Sequence, residues 1–354
     1  MNILFVIDGL HGGGKERQLV EIIKLLSANN KYIIGVVTFN KNKHYTEFVR
    51  KNVYYFKELS KRPTRFEPFF SIWNCFKEFK PDIVHTWDSL SSMYSFLPIN
   101  FFKIKFIDGS IRDAGIEKGW EKFHKKFFLK RADVVIANSF AGLETYQEKG
   151  EVLYNAIDLN RFNQNKNLSD FNIIMTANFT DYKDHKTFID ASIALVKDNI
   201  VNNVYLLGEG PYKEKYMNYI NESHSEISNK FHFQGRVRDV EDYLALCSVG
   251  VLCSTLEYSE GVSNAVLEYM AAGLVPVVTN IGGSAEIITN KKNGFLIPPK
   301  SSDEIIRIVK LIKEQPSVKE SIVKEALETV KTKFNDKKNI AFLESLYSNL
   351  NEKQ

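Results

Sequence analysis

Apolar positions along the chain follow two spacings that alternate. Short runs rich in β-branched residues predict buried strands. Leu19, Ile22, Ile23 and Leu26, between the first two runs, are spaced as on one face of a helix. The strands predicted in the first half are Ile3–Ile7, Tyr32–Phe39, Asp82–His85, Lys105–Ile107 and Val134–Ala137. Strands separated by helices indicate βαβ units, so we expect a parallel sheet with helices on its faces.

The same pattern starts again in the second half. The strands predicted there are Asn172–Thr176, Asn203–Leu207, Lys230–Phe233, Val249–Cys253 and Val275–Thr279, with helices at 186–198, 212–221, 239–246 and 264–272. The polar stretch Asn160–Asp170 between the halves has the composition of an exposed linker. We therefore predict an α/β protein with two Rossmann-like, doubly wound parallel-sheet domains, residues 1–160 and 161–336.

Composition sets the class of protein. The 354 residues, 44% apolar and 25% charged, suffice for two domain cores. Three cysteines cannot form a paired disulfide framework, which favours a cytoplasmic location. The first apolar run is interrupted by Asp8 and lacks a basic leader, so it predicts a strand and not a signal peptide. No uncharged run reaches the ~20 residues that span a bilayer.

Positive charge is concentrated in the first half. Residues 1–160 hold 24 Lys or Arg against 18 Asp or Glu, whereas residues 161–354 hold 23 against 25. The segments Lys118–Arg131 and Lys41–Arg65 contain six basic residues to one acidic and eight to two. Such a basic, aromatic segment is typical of peripheral contact with the anionic inner face of a cell membrane, or of aromatic side chains that pack on the sheet beneath a solvated face. No nucleic-acid partner is expected, because no recognised binding module occurs.

The sharpest local signal is the stretch Ser259–Asn264 before a helical run. Asn264 is a good N-cap, and a glycine turn ahead of a helix presents N–H groups where the helix dipole favours an anion. Glu260 and Glu268 would place two carboxylates beside this cradle, where sugar and ribose hydroxyls could hydrogen-bond. An ordinary capped helix start is the alternative.

Nine stretches, in order along almost the whole chain, resemble family 4 of the retaining glycosyltransferases. They are ILFVIDGLHGGGKERQLVEI (3–22), PDIVHTW (81–87), ADVVIANS (132–139), LYNAIDLNRF (153–162), LLGEGP (206–211), FQGRVRDV (233–240), EGVSNAVLEYMAAGLVPVV (260–278), IGGSAEII (281–288) and NGFLIPP (293–299). The resemblance implies the GT-B fold, in which two Rossmann-like domains face a central cleft. It also implies a last helix, within residues 337–354, that crosses back to the first domain.

The Glu-x7-Glu pattern of that family matches Glu260 and Glu268. By resemblance, Glu268 binds the nucleotide ribose, and Glu260 contacts the donor sugar and supports its reactive end. The backbone that would hold the diphosphate belongs to Gly261, Val262, Ser263 and Asn264.

Lys183 resembles the family's lysine that pairs with the diphosphate, where negative charge develops as the nucleoside diphosphate departs. Many relatives carry an arginine five residues earlier, where this chain has Asn178, and an amide lacks the charge of a guanidinium. Arg236 is the candidate to compensate, and together with Val237 it lies in a stretch that resembles the loop lining the base. No Asp-x-Asp sequence occurs, so we expect no metal ion and no cofactor.

The first domain offers two candidate sites. Gly13 and Gly14, within a run of three glycines, resemble a loop at the cleft where small residues allow close backbone approach to the donor; a plain tight turn is the alternative. The loop lacks the G-x-G-x-x-G spacing of dinucleotide-binding folds. Relatives often carry a histidine near the acceptor, and the comparable stretch 106–115 has none. Its polar substitutes are Asp108, Arg112 and Asp113, each of which would orient an acceptor hydroxyl or only pair locally.

The resemblance implies a retaining, metal-independent transfer of a sugar from a nucleotide-sugar donor, expected to be UDP-linked, to a sugar or lipid-linked sugar. Surface polysaccharide or glycolipid synthesis is the expected setting. Two alternatives remain: another GT-B nucleotide-sugar enzyme such as an epimerase, and a non-catalytic nucleotide-binding partner subunit. The asparagine at 178 and the lack of the acceptor histidine favour the second alternative, whereas Glu260, Lys183 and Glu268 argue against it.

Overall fold

The computed structural model describes residues 1–29, 31–40, 44–59, 67–115, 120–162, 170–256 and 259–352. The chain divides into two compact units. Unit 1 comprises Met1–Ala156 with Asp336–Gln354, and unit 2 comprises Ile157–Asn335. The first unit therefore stops at Ala156 rather than at residue 160, and most of the expected linker, 163–169, lies outside the described residues.

Strands and helices alternate through both units. Up to Ala156 the elements are β1 (Asn2–Gly9), α1 (Gly14–Ser27), β2 (Ile33–Asn40), α2 (Thr46–Asn52), β3 (Tyr55–Glu58), α3 (Glu67–Phe79), β4 (Ile83–Thr86), α4 (Ser89–Phe102), β5 (Lys105–Ile111), α5 (Trp120–Leu129), β6 (Val134–Ala137), α6 (Phe140–Tyr146) and β7 (Glu151–Val152). Unit 2 contains β8 (Ile173–Thr176), α7 (His185–Lys197), β9 (Val204–Leu207), α8 (Lys213–Ser223), β10 (Phe231–Gly235), α9 (Val240–Ala245), β11 (Val249–Leu252), α10 (Asn264–Ala271), β12 (Val275–Thr279), α11 (Ser284–Ile287), β13 (Phe295–Ile297), α12 (Ser302–Glu314) and α13 (Pro316–Lys333). The last helix is α14 (Asp336–Glu352).

Each unit is built on a parallel sheet, as predicted. In the described part of unit 1 the strand order is β3-β2-β1-β4-β5-β6-β7, and in that of unit 2 it is β10-β9-β8-β11-β12-β13. Both orders reverse direction beside the first strand of the unit, between β1 and β4 and between β8 and β11. Ligands of such sheets bind outside the carboxyl ends of the strands at this switch point. The switch points are therefore where a functional site is expected.

The final helix belongs to the core of unit 1. Leu343, Tyr347 and Leu350 of α14 are buried in the same apolar cluster as residues of β1 and α1. Tyr347 places its hydroxyl 3.1 Å from Nδ1 of His85 on β4, and Asn339 donates to the carbonyl oxygen of Tyr154. Helix α14 thereby extends unit 1 with residues that follow unit 2 in the sequence. Among the described residues, no helix combines the length and the apolar character needed to cross a bilayer.

Candidate functional site

Lys183 lies at the switch point of unit 2. It forms a β-bridge with Ser254, which follows β11, and the next residue, Asp184, donates its backbone N–H to Cys253. The segment after β8 and the segment after β11 therefore run side by side. This pairing fixes the backbone of Lys183 at the carboxyl ends of β8 and β11, the neighbouring strands between which the strand order reverses.

A buried imidazole holds the same segment from the other side. Nδ1 of His185 lies 3.1 Å from the carbonyl oxygen of Lys183, so Nδ1 carries the proton and donates it to that oxygen. The ring of Phe179 stacks on His185 with centroids 4.1 Å apart. Burial lowers the pKa of His185 to about 4, so the ring is neutral at neutral pH. The histidine positions Lys183 without adding a second positive charge.

The amino group of Lys183 contacts a carboxylate oxygen of Glu260 directly. The two residues are 77 positions apart, and the structure brings them together before the first turn of α10. The lysine side chain is 8% exposed and that of Glu260 is 26% exposed, so the pair is accessible from the glutamate side. The donor-side lysine and acid expected from the sequence thus lie in one place.

Helix α10 begins at Asn264, and the capping assignment made from the sequence is wrong by one residue. Ser263 occupies the N-cap position, its side chain makes no capping hydrogen bond, and Asn264 is the first helical residue. The first N–H groups of a helix have no partner within the helix. Because the Ser263 hydroxyl does not accept a hydrogen bond from them, a ligand oxygen can approach the start of the helix. Gly261 and Val262, ahead of the cap, are buried, and Glu268 is buried in the second turn.

Two glycines support the loop from behind. Gly283 donates its backbone N–H to the carbonyl oxygen of Glu260, at 2.8 Å. A Cβ at Gly283 would lie 2.7 Å from the carbonyl carbon of Gly261, and a Cβ at Gly282 would overlap the oxygen of Glu260. The sequence assigned no role to the motif Ile281–Ile288. Its two glycines let its backbone approach the backbone of Glu260 and Gly261 closely, and this contact fixes the position of that loop.

Tyr269 fastens α10 to the sheet beneath it. Its hydroxyl accepts the N–H of Thr176 at the end of β8 at 2.7 Å and donates to the carbonyl oxygen of Val251 on β11. Its ring covers Gly250, where a Cβ would overlap it. Both strands of the switch point are thus tied to the helix that carries Glu268, which makes the site a rigid assembly.

Asn178 and Arg236 both follow strands of the unit 2 sheet, at the edge formed by the carboxyl ends of its strands. Asn178 is exposed after β8, Arg236 is exposed after β10, and Val237 is half-buried. One strand, β9, separates β8 from β10, so their ends lie about 10 Å apart. A long arginine side chain spans much of that distance, so Arg236 can extend towards residue 178.

The acidic stretch Asp239–Glu241 is the start of a helix, as the sequence indicated. Asp239 is at the N-cap of α9, and Glu241 forms a 3.0 Å ion pair with Arg161. Within the described residues, no group of three or more His, Cys, Asp or Glu side chains is arranged to hold a metal ion.

In unit 1 the glycine loop meets a buried acid that the sequence did not single out. Gly13 is the N-cap of α1, and a Cβ there would overlap the carboxylate of Glu16. Gly14 is exposed as the first residue of the helix. The absence of a side chain at Gly13 therefore makes room for Glu16, whose pKa burial raises to about 7. A glutamate at the third helical position behind a glycine is the sequence signal for this arrangement.

An ion cluster occupies the switch point of unit 1. Lys15 approaches Asp8 at the end of β1 (2.9 Å) and Asp88 after β4 (3.8 Å). Asp88 also accepts the backbone N–H of Asp8 and caps α4 through Ser91. Lys15 and Asp88 were not among the predicted site residues, although an acid two residues after a buried strand is a signal that could have found Asp88.

The predicted acceptor-side residues gather around β5. Asp108 is buried, with one oxygen accepting the N–H of Ser110 and the other without a hydrogen bond among the described residues. Burial raises the pKa of Asp108. The Arg112 guanidinium stacks 3.6 Å above the ring of Trp87, and burial lowers its pKa to about 9. Asp113 is half-buried just beyond the strand.

His85 supplies an imidazole to this group from the neighbouring strand. Its Nε2 would lie 2.9 Å from a Cβ at Gly109, and Nη2 of Arg112 would lie 3.0 Å from the same point. Neither nitrogen has a hydrogen-bond partner in the part of the chain that the structure describes. Burial, and then the charge of Arg112, lower the pKa of His85, so it is neutral. The stretch 106–115 lacks a histidine, yet the fold brings one to it.

The raised pKa of Glu16 predicts a pH-dependent effect of Glu16→Gln on stability. The folded protein binds the proton of Glu16 more tightly than the unfolded chain, so the free energy of unfolding of the wild type falls between pH 4.5 and 7. Glutamine does not titrate. The stability of Glu16→Gln relative to wild type should therefore rise by about 3 kcal/mol from pH 4.5 to 7.5.

Urea unfolding of both proteins at the two pH values measures that change, with exposed Glu144→Gln of the same unit as control. An equal difference at both pH values would contradict a buried, proton-binding Glu16.

Comparisons with known proteins give one consistent family. The sequence model described as Glycosyltransferase Family 4 matches residues 12–161, and that described as Glycosyl transferases group 1 matches residues 156–329. The chain is 27% identical over 182 residues to the candidate glycosyltransferase EpsD of Bacillus subtilis, covering 51% of this chain and 45% of EpsD. It is 28% identical over 144 residues to TuaC of the same organism, a candidate glycosyltransferase of teichuronic acid biosynthesis, covering 40% of this chain and 33% of TuaC.

Among solved structures, HepE of Anabaena in complex with UDP-glucose has the same fold. The TM-score is 0.81 at 18% identity, and the match covers 99% of this chain and all of HepE. The chain thus spans less than half the length of EpsD and TuaC but the full length of this structural relative.

Proposed function

Because the chain belongs to family 4 of the glycosyltransferases, with two family models matching it from residue 12 to residue 329, we propose that it transfers a sugar from a UDP-linked donor to a sugar or lipid-linked sugar with retention of configuration. The observation that carries the proposal is the Lys183–Glu260 contact at the switch point of unit 2, immediately before α10. A cation beside a helix start is suited to a diphosphate.

The proposed reaction exchanges two bonds at the anomeric carbon. The bond to the β-phosphate oxygen breaks, and a bond to the acceptor oxygen forms on the same face of the sugar. The acceptor's proton passes to the departing phosphate oxygen, and the nucleoside diphosphate leaves with its negative charge. No protein nucleophile, metal ion or cofactor takes part in this scheme.

Unit 2 residues stabilise the leaving group in this scheme. The ammonium of Lys183 and the N–H groups at the start of α10 interact with the charge that develops on the diphosphate, where fixed positive groups act most strongly. Glu260 orients Lys183 and supports the anomeric centre, whereas Glu268 accepts a hydrogen bond from the ribose. Arg236 adds the positive charge that Asn178 does not provide.

The acceptor is assigned to unit 1. Asp108 offers an oxygen acceptor, while His85 and Arg112 offer nitrogen atoms, all buried and without hydrogen bonds among the described residues. Such a mixed set suits the hydroxyl groups of a sugar, which both donate and accept. HepE was solved with UDP-glucose and TuaC is described as a teichuronic acid enzyme, which supports a UDP-linked donor and a surface polysaccharide as the product.

A screen of purified protein against UDP-, GDP- and ADP-sugars tests this function. We expect one UDP-sugar to raise the unfolding temperature and, with an acceptor, to yield free UDP and a glycoside whose anomeric configuration by NMR equals that of the donor. Glu260→Gln should lose turnover while Glu241→Gln, a glutamate on α9, should keep it. Inversion of configuration, an epimerised nucleotide sugar without transfer, or binding without any turnover would each contradict the proposal.

A further inference from the structure

Helices α3, α4 and α5 of unit 1 expose a continuous set of large apolar side chains, which we name the aromatic face. Its most exposed members are Phe70 of α3 (72%), Leu97 (57%) and Phe101 (66%) of α4, and Phe123 of α5 (61%). Ring contacts join the helices: Trp73 of α3 lies 4.6 Å from Phe101. On the other side, α4 meets α5 through its Phe96 ring, 5.7 Å from Phe127.

Helix α4 at the centre of this face has no charged residue in its 14 positions, Ser89–Phe102. Its inner side is occupied by buried serines and by Pro98 and Ile99. Its outer side presents Leu90, Leu97 and Phe101. A helix on the surface of a sheet normally turns a charged face to water, so an apolar outer side indicates that something other than water covers it.

Lysine residues border the aromatic face. Lys77 lies one turn beyond Trp73, Lys103 follows α4, Lys126 is in the last turn of α5, and Lys130 directly follows α5. None of these four lysines forms an ion pair within the described ranges, whereas elsewhere in unit 1 basic residues do pair, as Lys51 does with Glu47. The nearby acid Glu78 is turned towards Lys57 and Tyr55. Glu67 opens α3 one turn before Phe70, so among the described residues the border carries more positive than negative charge.

We propose that the aromatic face binds the surface of an anionic lipid bilayer. Phe101, Leu97 and Phe123 enter the boundary between headgroups and acyl chains, and the lysines contact the anionic headgroups. A second copy of the chain fits less well, because two copies meeting through this face would bring their lysines together.

The sequence offered Lys118–Arg131 as a candidate for membrane contact, with packing on the sheet as the alternative, and residues 118 and 119 of this segment lie outside the described ranges. Phe128 and Leu129 of α5 are buried, so this helix packs partly on the sheet, as the alternative held. In the second basic segment, Lys41–Arg65, residues 41–43 and 60–65 lie outside the described ranges, and Arg50 is paired with Glu58. The contact therefore centres on α4, a helix that the charge pattern did not reveal.

Sedimentation with vesicles tests the proposal. At low salt the full-length protein should bind phosphatidylcholine vesicles containing 30% (about one lipid in three) phosphatidylglycerol, and bind pure phosphatidylcholine weakly. Leu97→Ser/Phe101→Ser should lower the partition coefficient about tenfold or more, because two apolar anchors are lost. Lys126→Glu/Lys130→Glu should lower binding to the anionic vesicles and leave the weak binding to neutral ones unchanged.

The control is Tyr54→Ser, which removes an aromatic side chain that is 83% exposed outside the face. It should bind vesicles as the wild type does. The proposal fails if the wild type does not bind anionic vesicles, or if Leu97→Ser/Phe101→Ser binds them normally. It also fails if light scattering shows a dimer that this double variant dissociates. Thermal stabilisation by UDP is measured on every variant. This measurement shows whether a variant still binds UDP, independently of whether it binds vesicles.

Discussion

Replacing Lys183 by methionine should lower kcat by about 10²- to 10³-fold, the usual cost of removing one group that stabilises charge developing in the transition state. Methionine retains the unbranched, apolar stem that is buried here, so the change removes charge more than packing. The departing diphosphate then keeps the helix N–H groups but loses the ammonium. Steady-state release of UDP from the donor measures the effect.

Lys186→Met is the matched control. This lysine lies three residues further on, is exposed, and pairs with Asp190 on its own helix. It should retain normal turnover. The double variant Lys183→Met/Glu260→Gln separates two roles, because it removes both charges of the pair. If the pair serves only the fold, the neutral double variant recovers stability and turnover together, and such a recovery would contradict a catalytic Lys183.

Gly283→Ala should disturb the donor loop from behind. The φ of Gly283 is −76°, which alanine adopts readily, so any effect comes from the added methyl group and not from backbone strain. That methyl would lie 2.7 Å from the carbonyl carbon of Gly261, and the loop must shift. We expect donor affinity to fall about tenfold or more and stability to fall by about 1–3 kcal/mol, as overpacked sites do.

Gly273→Ala separates loop displacement from loss of stability. Gly273 follows α10 with φ +72°, and an added Cβ there meets nothing closer than 3.6 Å. Alanine should cost about 1 kcal/mol through its left-handed backbone and leave donor affinity intact. Titration calorimetry with UDP and urea unfolding, applied to both variants, give the two quantities. Equal UDP affinity in Gly283→Ala and wild type would show that the Gly282–Gly283 backbone does not determine the position of the Glu260–Gly261 loop.

Buried strands could be predicted from the sequence, whereas polar edge strands could not. Val134–Ala137 and Val275–Thr279 were predicted with the correct ends, because their side chains are apolar and covered on both faces. The strands β3, β7 and β13 were missed, although β13 is apolar and largely buried, because it has only three residues. Tyr55–Glu58 and Glu151–Val152 are short, partly exposed edge strands with charged residues, so the apolar run that marks a strand is absent.

Individual residues of the candidate site could be predicted from the sequence, whereas the contacts between them could not. Glu260, Glu268 and Lys183 were found through motifs, but sequence spacing does not tell that Lys183 meets Glu260 across the switch point. His85 reaches Arg112 only because β4 and β5 are adjacent, with His85 opposite Ile107. Contacts between residues far apart in the chain depend on strand order, which a local pattern does not contain.

The central claim is that the Glu260–Asn264 loop and Lys183 hold a diphosphate, and paired titrations test it directly. Calorimetry compares UDP with UMP on wild type and on Lys183→Met. Wild type should bind UDP at least about tenfold more tightly than UMP, because the β-phosphate meets the ammonium and the helix start, and Lys183→Met should lose most of this preference. Equal affinities of wild type for UDP and UMP would contradict it.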